Sequence, residues 1–207
     1  MNDRCLLFTG DSYVAGAGDP AGLGWVGRVV AAAWEAGLPM TAYNLGVRGD
    51  STPQAAARFR SEARSRLIPD ADNRVVVAVG ANDVTVEADG TRPISLGQSL
   101  EALDSLLGDA DSLGMTALVI GPGPVGEPGH DARSRELGAR FRELAEGRGH
   151  RFLDLPAEEL ERGPWRAEAL ANDGLHPGAG GYAAYAELVL AGGFLDWLRE
   201  PRAASEA

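Results

Sequence analysis

Two hydrophobic patterns alternate along the chain. Short apolar runs stand at Leu6-Leu7-Phe8, at Val75 to Val79 and at Thr116 to Ile120, and a glycine closes each within two residues. Continuous runs of this length predict strands buried on both faces, as in the middle of a parallel sheet. Two weaker stretches, Thr41 to Leu45 and Phe152 to Leu155, read as further strands. Between the runs the spacing becomes helical. Leu96, Leu100, Leu103, Leu106 and Leu107 mark one face of a helix over 96–113. Helices are also expected at 25–36, 54–67, 132–146 and 179–199, with short helical turns and loop over 156–171. Gly37 and Gly114 are stop signals, and Ser51 or Thr52 followed by Pro53 is a start signal.

Strands alternating with helices imply βαβ units and a parallel sheet. The expected fold is α/β, a three-layer α/β/α sandwich on five parallel strands. The 207 residues fit one domain over 1–200, with a frayed tail over 201–207. The lone cysteine, Cys5, sits in the first strand and reads as a small core residue. A net charge of −11 argues against nucleic acid as a partner. The arginines of 58–66 and 133–142 are interleaved with Glu and Ala and read as solvated helix faces. No apolar run is long enough to span a membrane, and no basic-then-apolar leader is seen, so the expected location is cytoplasmic. Oligomeric state is not legible.

Polar residues with a chemical use gather in four loops. Gly10-Asp11-Ser12 follows the first strand, Asn44-Leu45-Gly46 ends the second, Gly80-Ala81-Asn82-Asp83 follows the third, and Asp173-Gly174-Leu175-His176-Pro177 precedes the last helix. Loops that follow parallel strands emerge at one edge of the sheet. Acyl transfer needs a nucleophile, a base, an orienter for the base and donors for an oxyanion. Ser12 is the candidate nucleophile. His176 is the candidate base, since imidazole exchanges protons near neutral pH. Asp173, three residues earlier, is the candidate orienter. The candidate oxyanion donors are the N–H of Ser12, the N–H of Gly46 and the side-chain amide of Asn82, which donates without charge. Asp11 and Asp83 read as structural turn residues. His130 and His150 read as surface residues.

These four blocks, in this order, resemble the SGNH hydrolase (GDSL esterase/lipase) family. They span Gly10 to Pro177 and so nearly the whole chain. The resemblance implies a flavodoxin-like sandwich and hydrolysis of carboxylic esters through an acyl-enzyme, with Ser12, Gly46, Asn82, His176 and Asp173 at the family's functional positions. No His/Cys spacing suggests zinc, so no metal or other cofactor is expected, and the expected partner is a small-molecule ester. Tyr13 and Arg48 depart from the usual pattern, and are expected to shape the substrate pocket without touching the chemistry.

One motif points elsewhere. Gly121-Pro122-Gly123-Pro124-Val125-Gly126 matches a dinucleotide-binding fingerprint after a strand. Pro122 and Pro124 lack the N–H groups that hold a pyrophosphate, and the next helix is expected several residues too late to meet it. The loop is therefore expected to wall the substrate cleft. Other readings of the whole are a carbohydrate acetylesterase, a thioesterase or an acyltransferase on the same site, or a non-catalytic flavodoxin-like binding module.

Overall fold

The computed structural model describes residues 3–201. Residues 202–207, most of the expected tail, lie outside the described residues. The five strands are β1 (Arg4–Gly10), β2 (Thr41–Gly46), β3 (Asp72–Ala78), β4 (Thr116–Ile120) and β5 (Arg151–Leu153). They form one sheet in the order β2-β1-β3-β4-β5, and every neighbouring pair is parallel. Gly10 pairs with Gly46 and with Ala78, and Ala78 with Ile120, which pairs with Leu153. The strands therefore end level, and the loops that follow leave from a common edge.

Successive side chains of a strand point to opposite faces, and the runs separate accordingly. Leu6, Phe8, Val76, Leu118 and Ile120 face one core, and Cys5, Leu7, Val75, Val77 and Val119 face the other. The first core is closed by α2 (Gly24–Glu35), α8 (Ala179–Ala191) and α9 (Phe194–Arg199), with α6 (Ala157–Arg162) and α7 (Pro164–Ala171) at its end. The second is closed by α3 (Thr52–Arg64), α4 (Leu96–Ser112) and α5 (Pro128–Gly147). This is the expected three-layer α/β/α arrangement. Both α3 and α4 start at a serine that accepts from the N–H three residues on, while a glutamine there reaches back, a reciprocal cap.

Four details differ from the expectations. The last helix is not continuous over 179–199; it breaks at Gly192-Gly193, where Gly193 has φ +95°. The helix after β4 starts at Pro128 rather than Ala132, capped by the Glu127 carboxylate. His130 and His150 are buried, not on the surface. His130 Nε2 lies 2.9 Å from the Ala81 carbonyl, and His150 Nδ1 accepts from the Ala117 N–H at 3.4 Å. Finally, the 58–66 run is not wholly solvated, because Arg58 turns inward towards the site.

The opposite edge of the sheet is held by a buried cation. Arg74, 1% exposed, pairs with Asp72 at 2.9 Å and donates to the carbonyls of Trp197 and Glu200. Arg4 reaches the same carboxylate and the Leu198 carbonyl at 3.1 Å. Two arginines thus bind α9, whose last carbonyls have no partner within the helix, to the start of the sheet.

Candidate active site

Ser12 opens α1 (Ser12–Ala15), a single helical turn directly after β1. Asp11 caps that turn, its Oδ1 accepting from the Tyr13 N–H at 2.9 Å. This fixes Ser12 at the level edge of the sheet, and the Ser12 N–H, first in the helix, has no acceptor within it. Asp11 is fully buried. Burial first, and then the nearby Asp83 and Asp50 carboxylates, push its carboxyl up to about 7. Asp83 holds the start of α3, its Oδ1 accepting from the Thr52 N–H at 2.8 Å. The structural roles expected for both aspartates agree with these bonds.

His176 lies in the turn between α7 and α8. Its Nδ1 is 2.6 Å from Asp173 Oδ2. Asp173 Oδ1 accepts from the backbone N–H of His176 at 2.8 Å and of Leu175 at 3.0 Å. These bonds, the His176 backbone N–H first among them, hold the Asp173 carboxyl well below the usual carboxylate range. It is therefore a carboxylate near neutral pH. An ionised partner on Nδ1 fixes the tautomer that carries its proton there and leaves Nε2 free to accept one.

The His176 turn packs over the loop that follows β1. The ring of Tyr13 meets the His176 ring edge-on, with centroids 5.8 Å apart, and its hydroxyl donates to the Leu175 carbonyl at 3.3 Å. At Gly18 there is no room for a side chain, since a Cβ would come within 3.0 Å of His176 Cβ and 2.8 Å of the Pro177 carbonyl. Arg48, in the loop after β2, stands 3.9 Å from Asp173 Oδ2. Tyr13 and Arg48 thus both contact the histidine–aspartate pair, against the expectation that neither touches the chemistry.

Asn82 begins a 3-10 turn after β3 and donates one amide hydrogen to the Asp50 carbonyl at 2.8 Å. Its amide carries a second hydrogen. Gly46 behaves differently from expectation. Its N–H donates to Asn44 Oδ1 at 2.9 Å, and a Cβ on it would meet the Ala15 nitrogen at 2.2 Å. Glycine is required there for close packing of β2 under the nucleophile turn, and its donor is engaged inside the loop. Three residues on, Gly49 has φ +82° and open space where a Cβ would stand. It directly precedes Asp50, whose carbonyl holds Asn82.

Arg58 is the support that sequence patterning did not single out. From α3 it donates to the Gly10 carbonyl at 3.0 Å and to Asp50 Oδ2 at 2.7 Å, so one guanidinium ties the nucleophile strand to the Asn82-binding loop. The only prior signal was its place in an arginine-rich run, which marks solvent faces far more often than sites.

Three N–H donors of the Gly121 to Gly126 loop are engaged, that of Gly121 by the Leu153 carbonyl at 3.0 Å. Asp131 accepts from the Val125 N–H at 2.8 Å and the Gly126 N–H at 3.0 Å, and Glu127 from the Gly129 and His130 N–H groups. The helix begins at Pro128, earlier than expected but still after Gly126, and two carboxylates hold N–H groups around its start. A cavity of about 710 Å³ lies behind this loop between α5 and α6. Ser12, Asn82 and His176 do not line it. No cluster of His, Cys, Asp and Glu among the described residues could hold a metal ion, and no helix among them is long and apolar enough to cross a membrane.

The family model of GDSL-like lipases and acylhydrolases matches residues 8–184. No curated protein sequence matches the chain. Among solved structures, the lipase/acylhydrolase from Enterococcus faecalis is similar at 25% identity and TM-score 0.74, covering 98% of this chain and 100% of that one. A catalytic mutant of an acetylxylan esterase from Geobacillus stearothermophilus is similar at 20% identity and TM-score 0.74, covering 96% and 97%. A psychrotrophic esterase from Pseudoalteromonas sp., inhibited by monoethylphosphonate, is similar at 17% identity and TM-score 0.73, covering 96% and 100%.

Proposed function

The chain belongs to the GDSL-like lipase/acylhydrolase family, and from that premise we propose a metal-free serine esterase that hydrolyses small or short-acyl esters through an acyl-enzyme. One observation carries the assignment of roles. A histidine bonded through Nδ1 to an ionised aspartate at 2.6 Å sits on a turn that packs against Tyr13, the residue next to Ser12. This supports the order nucleophile, base, orienter that acyl transfer requires.

Ser12 Oγ attacks the ester carbonyl while His176 Nε2 takes the hydroxyl proton. Asp173 stabilises the imidazolium that forms. The tetrahedral oxyanion accepts from the Ser12 N–H and from the second amide hydrogen of Asn82. For the third donor we assign the Gly49 N–H in place of that of Gly46, which is engaged by Asn44. His176 then protonates the leaving alcohol. Water activated by the same imidazole attacks the acyl-enzyme, and Ser12 recovers its proton as the acid departs.

The test uses a short p-nitrophenyl ester and a fluorophosphonate probe. The wild-type chain is expected to turn over the ester and to be labelled at Ser12. Ser12→Ala is expected to lose both while its circular dichroism is unchanged. Labelling or turnover that survives Ser12→Ala removes the nucleophile and the proposal with it.

A further inference from the structure

The residue after the nucleophile is bound to the residue before the base. Tyr13, 6% exposed, donates its hydroxyl to the Leu175 carbonyl at 3.3 Å. A second carbonyl, that of Pro124, lies 3.5 Å from the same oxygen, but Trp165 Nε1 already donates to it at 3.2 Å. A phenol has one hydrogen to give, so the Leu175 carbonyl is the acceptor that lacks another donor. The rest of the His176 turn is bonded on other sides. Asp173 takes the N–H groups of Leu175 and His176, and Asn172 Nδ2 donates to the His176 carbonyl at 3.1 Å. The Tyr13 ring is packed between His176 and Trp165, with centroids 5.8 Å and 5.1 Å away.

We propose that Tyr13 is a positioning residue, which sets the distance and direction between Ser12 and His176 through its hydroxyl on the Leu175 carbonyl and its ring edge on the imidazole. The inference rests on the esterase reading of Ser12 and His176. Its physical basis is that these two groups come from segments more than 160 residues apart in sequence. No backbone ladder joins them. Proton transfer from Ser12 to His176 falls steeply when their separation is off by a fraction of an ångström. A side chain rooted one residue from Ser12 and bonded one residue from His176 constrains that separation directly. Burial pushes the Tyr13 hydroxyl well above its ordinary range, so it remains a donor at every working pH.

Tyr13→Phe removes the hydrogen and keeps the ring. Wild type, Tyr13→Phe and Tyr13→Leu are compared by titrating active sites with the fluorophosphonate and measuring kcat and KM per titrated site on p-nitrophenyl acetate. Tyr13→Phe is expected to lower kcat about five- to tenfold, the worth of one ordinary hydrogen bond, with KM within about twofold. Tyr13→Leu, which also loses the ring edge, is expected to lower kcat further. The low-field proton resonance between His176 Nδ1 and Asp173 is expected to broaden in both. A residue that only fills space would lower the melting temperature and leave kcat per titrated site and that resonance unchanged, and this result overturns the proposal. Wild type that fails to label at Ser12 overturns instead the esterase reading on which the proposal stands. Should Tyr13→Leu fold poorly, Tyr13→Phe with intact circular dichroism and unchanged kcat is sufficient to overturn it.

Discussion

At the scale of single residues, the site depends on where charge is tolerated. In the proposed mechanism Asn82 stabilises the oxyanion with the second hydrogen of an amide that the Asp50 carbonyl already orients. Removing one such donor typically costs about a hundredfold or more in kcat. Asn82→Ala is therefore expected to lower kcat by that order with KM little changed, read from steady-state kinetics on a p-nitrophenyl ester. A change confined to KM would assign Asn82 to ground-state binding. Asp11 gives a second prediction, in stability. Its carboxyl is pushed up to about 7 by burial and by Asp83 and Asp50, whereas an unfolded aspartate titrates near 3.9. The folded state therefore holds the extra proton between these values, and stability falls as pH rises through that window. Asp11→Asn keeps an oxygen to accept the Tyr13 N–H and cannot ionise. Its melting temperature relative to wild type is expected to climb from pH 5 to pH 8. A difference that stays flat with pH means that Asp11 titrates alike in the folded and unfolded chain.

At the scale of elements, the two loop glycines separate packing from chemistry. Gly46 lies where β2 passes under α1, and a methyl group there would sit 2.2 Å from a backbone nitrogen. A backbone cannot yield by that much without moving the nucleophile turn. Gly49 has nothing above it and needs only its positive φ, which costs an alanine about 1 kcal/mol. Gly46→Ala is expected to fold poorly, and Gly49→Ala to stay folded with a melting temperature a few degrees lower. Thermal melts of the two variants decide this, and equal melts would mean that the two positions are not different in kind. The same pair shows what a sequence reveals. The strands and the four loops were legible because buried parallel strands are continuous apolar runs and because Ser12, Asn82, Asp173 and His176 stand just after such runs or just before the last helix. Which glycine offers a free N–H was not legible, since that depends on the Asn44 side chain turning back on its own loop. Arg58, Tyr13 and Arg48 were underestimated for a related reason. Their roles come from contacts with residues about 50 to 160 positions away, which no local pattern records. The break at Gly192-Gly193 was hidden because apolar spacing continues across it through Phe194, Trp197 and Leu198.

At the scale of the molecule, the two edges of the sheet do different work. The edge at the strand ends carries the proposed site, while the edge at the strand starts carries Arg74 and Arg4 bound to α9. Arg74 pairs with Thr116 of β4 and with Leu6 of β1, four residues before Ala78 at the end of β3. At about 3.3 Å per residue this is roughly 13 Å from the catalytic rim. Replacing Arg74 by Met preserves bulk in the first core but removes the side-chain donor of the Trp197 and Glu200 carbonyls and leaves one side of Asp72 without its cation. Breaking a buried pair in this way typically costs about 3–5 kcal/mol, a large part of the roughly 5–15 kcal/mol that holds such folds together. Arg74→Met is expected to lower the denaturant midpoint sharply while kcat per fluorophosphonate-titrated site stays at the wild-type value. The separation follows from the sheet itself: five hydrogen-bonded strands keep the far rim in register as long as the chain is folded, so damage at one edge reaches the other only through the folded fraction. A fall in kcat per titrated site that matches the fall in stability would show instead that α9 and the catalytic loops move as one unit.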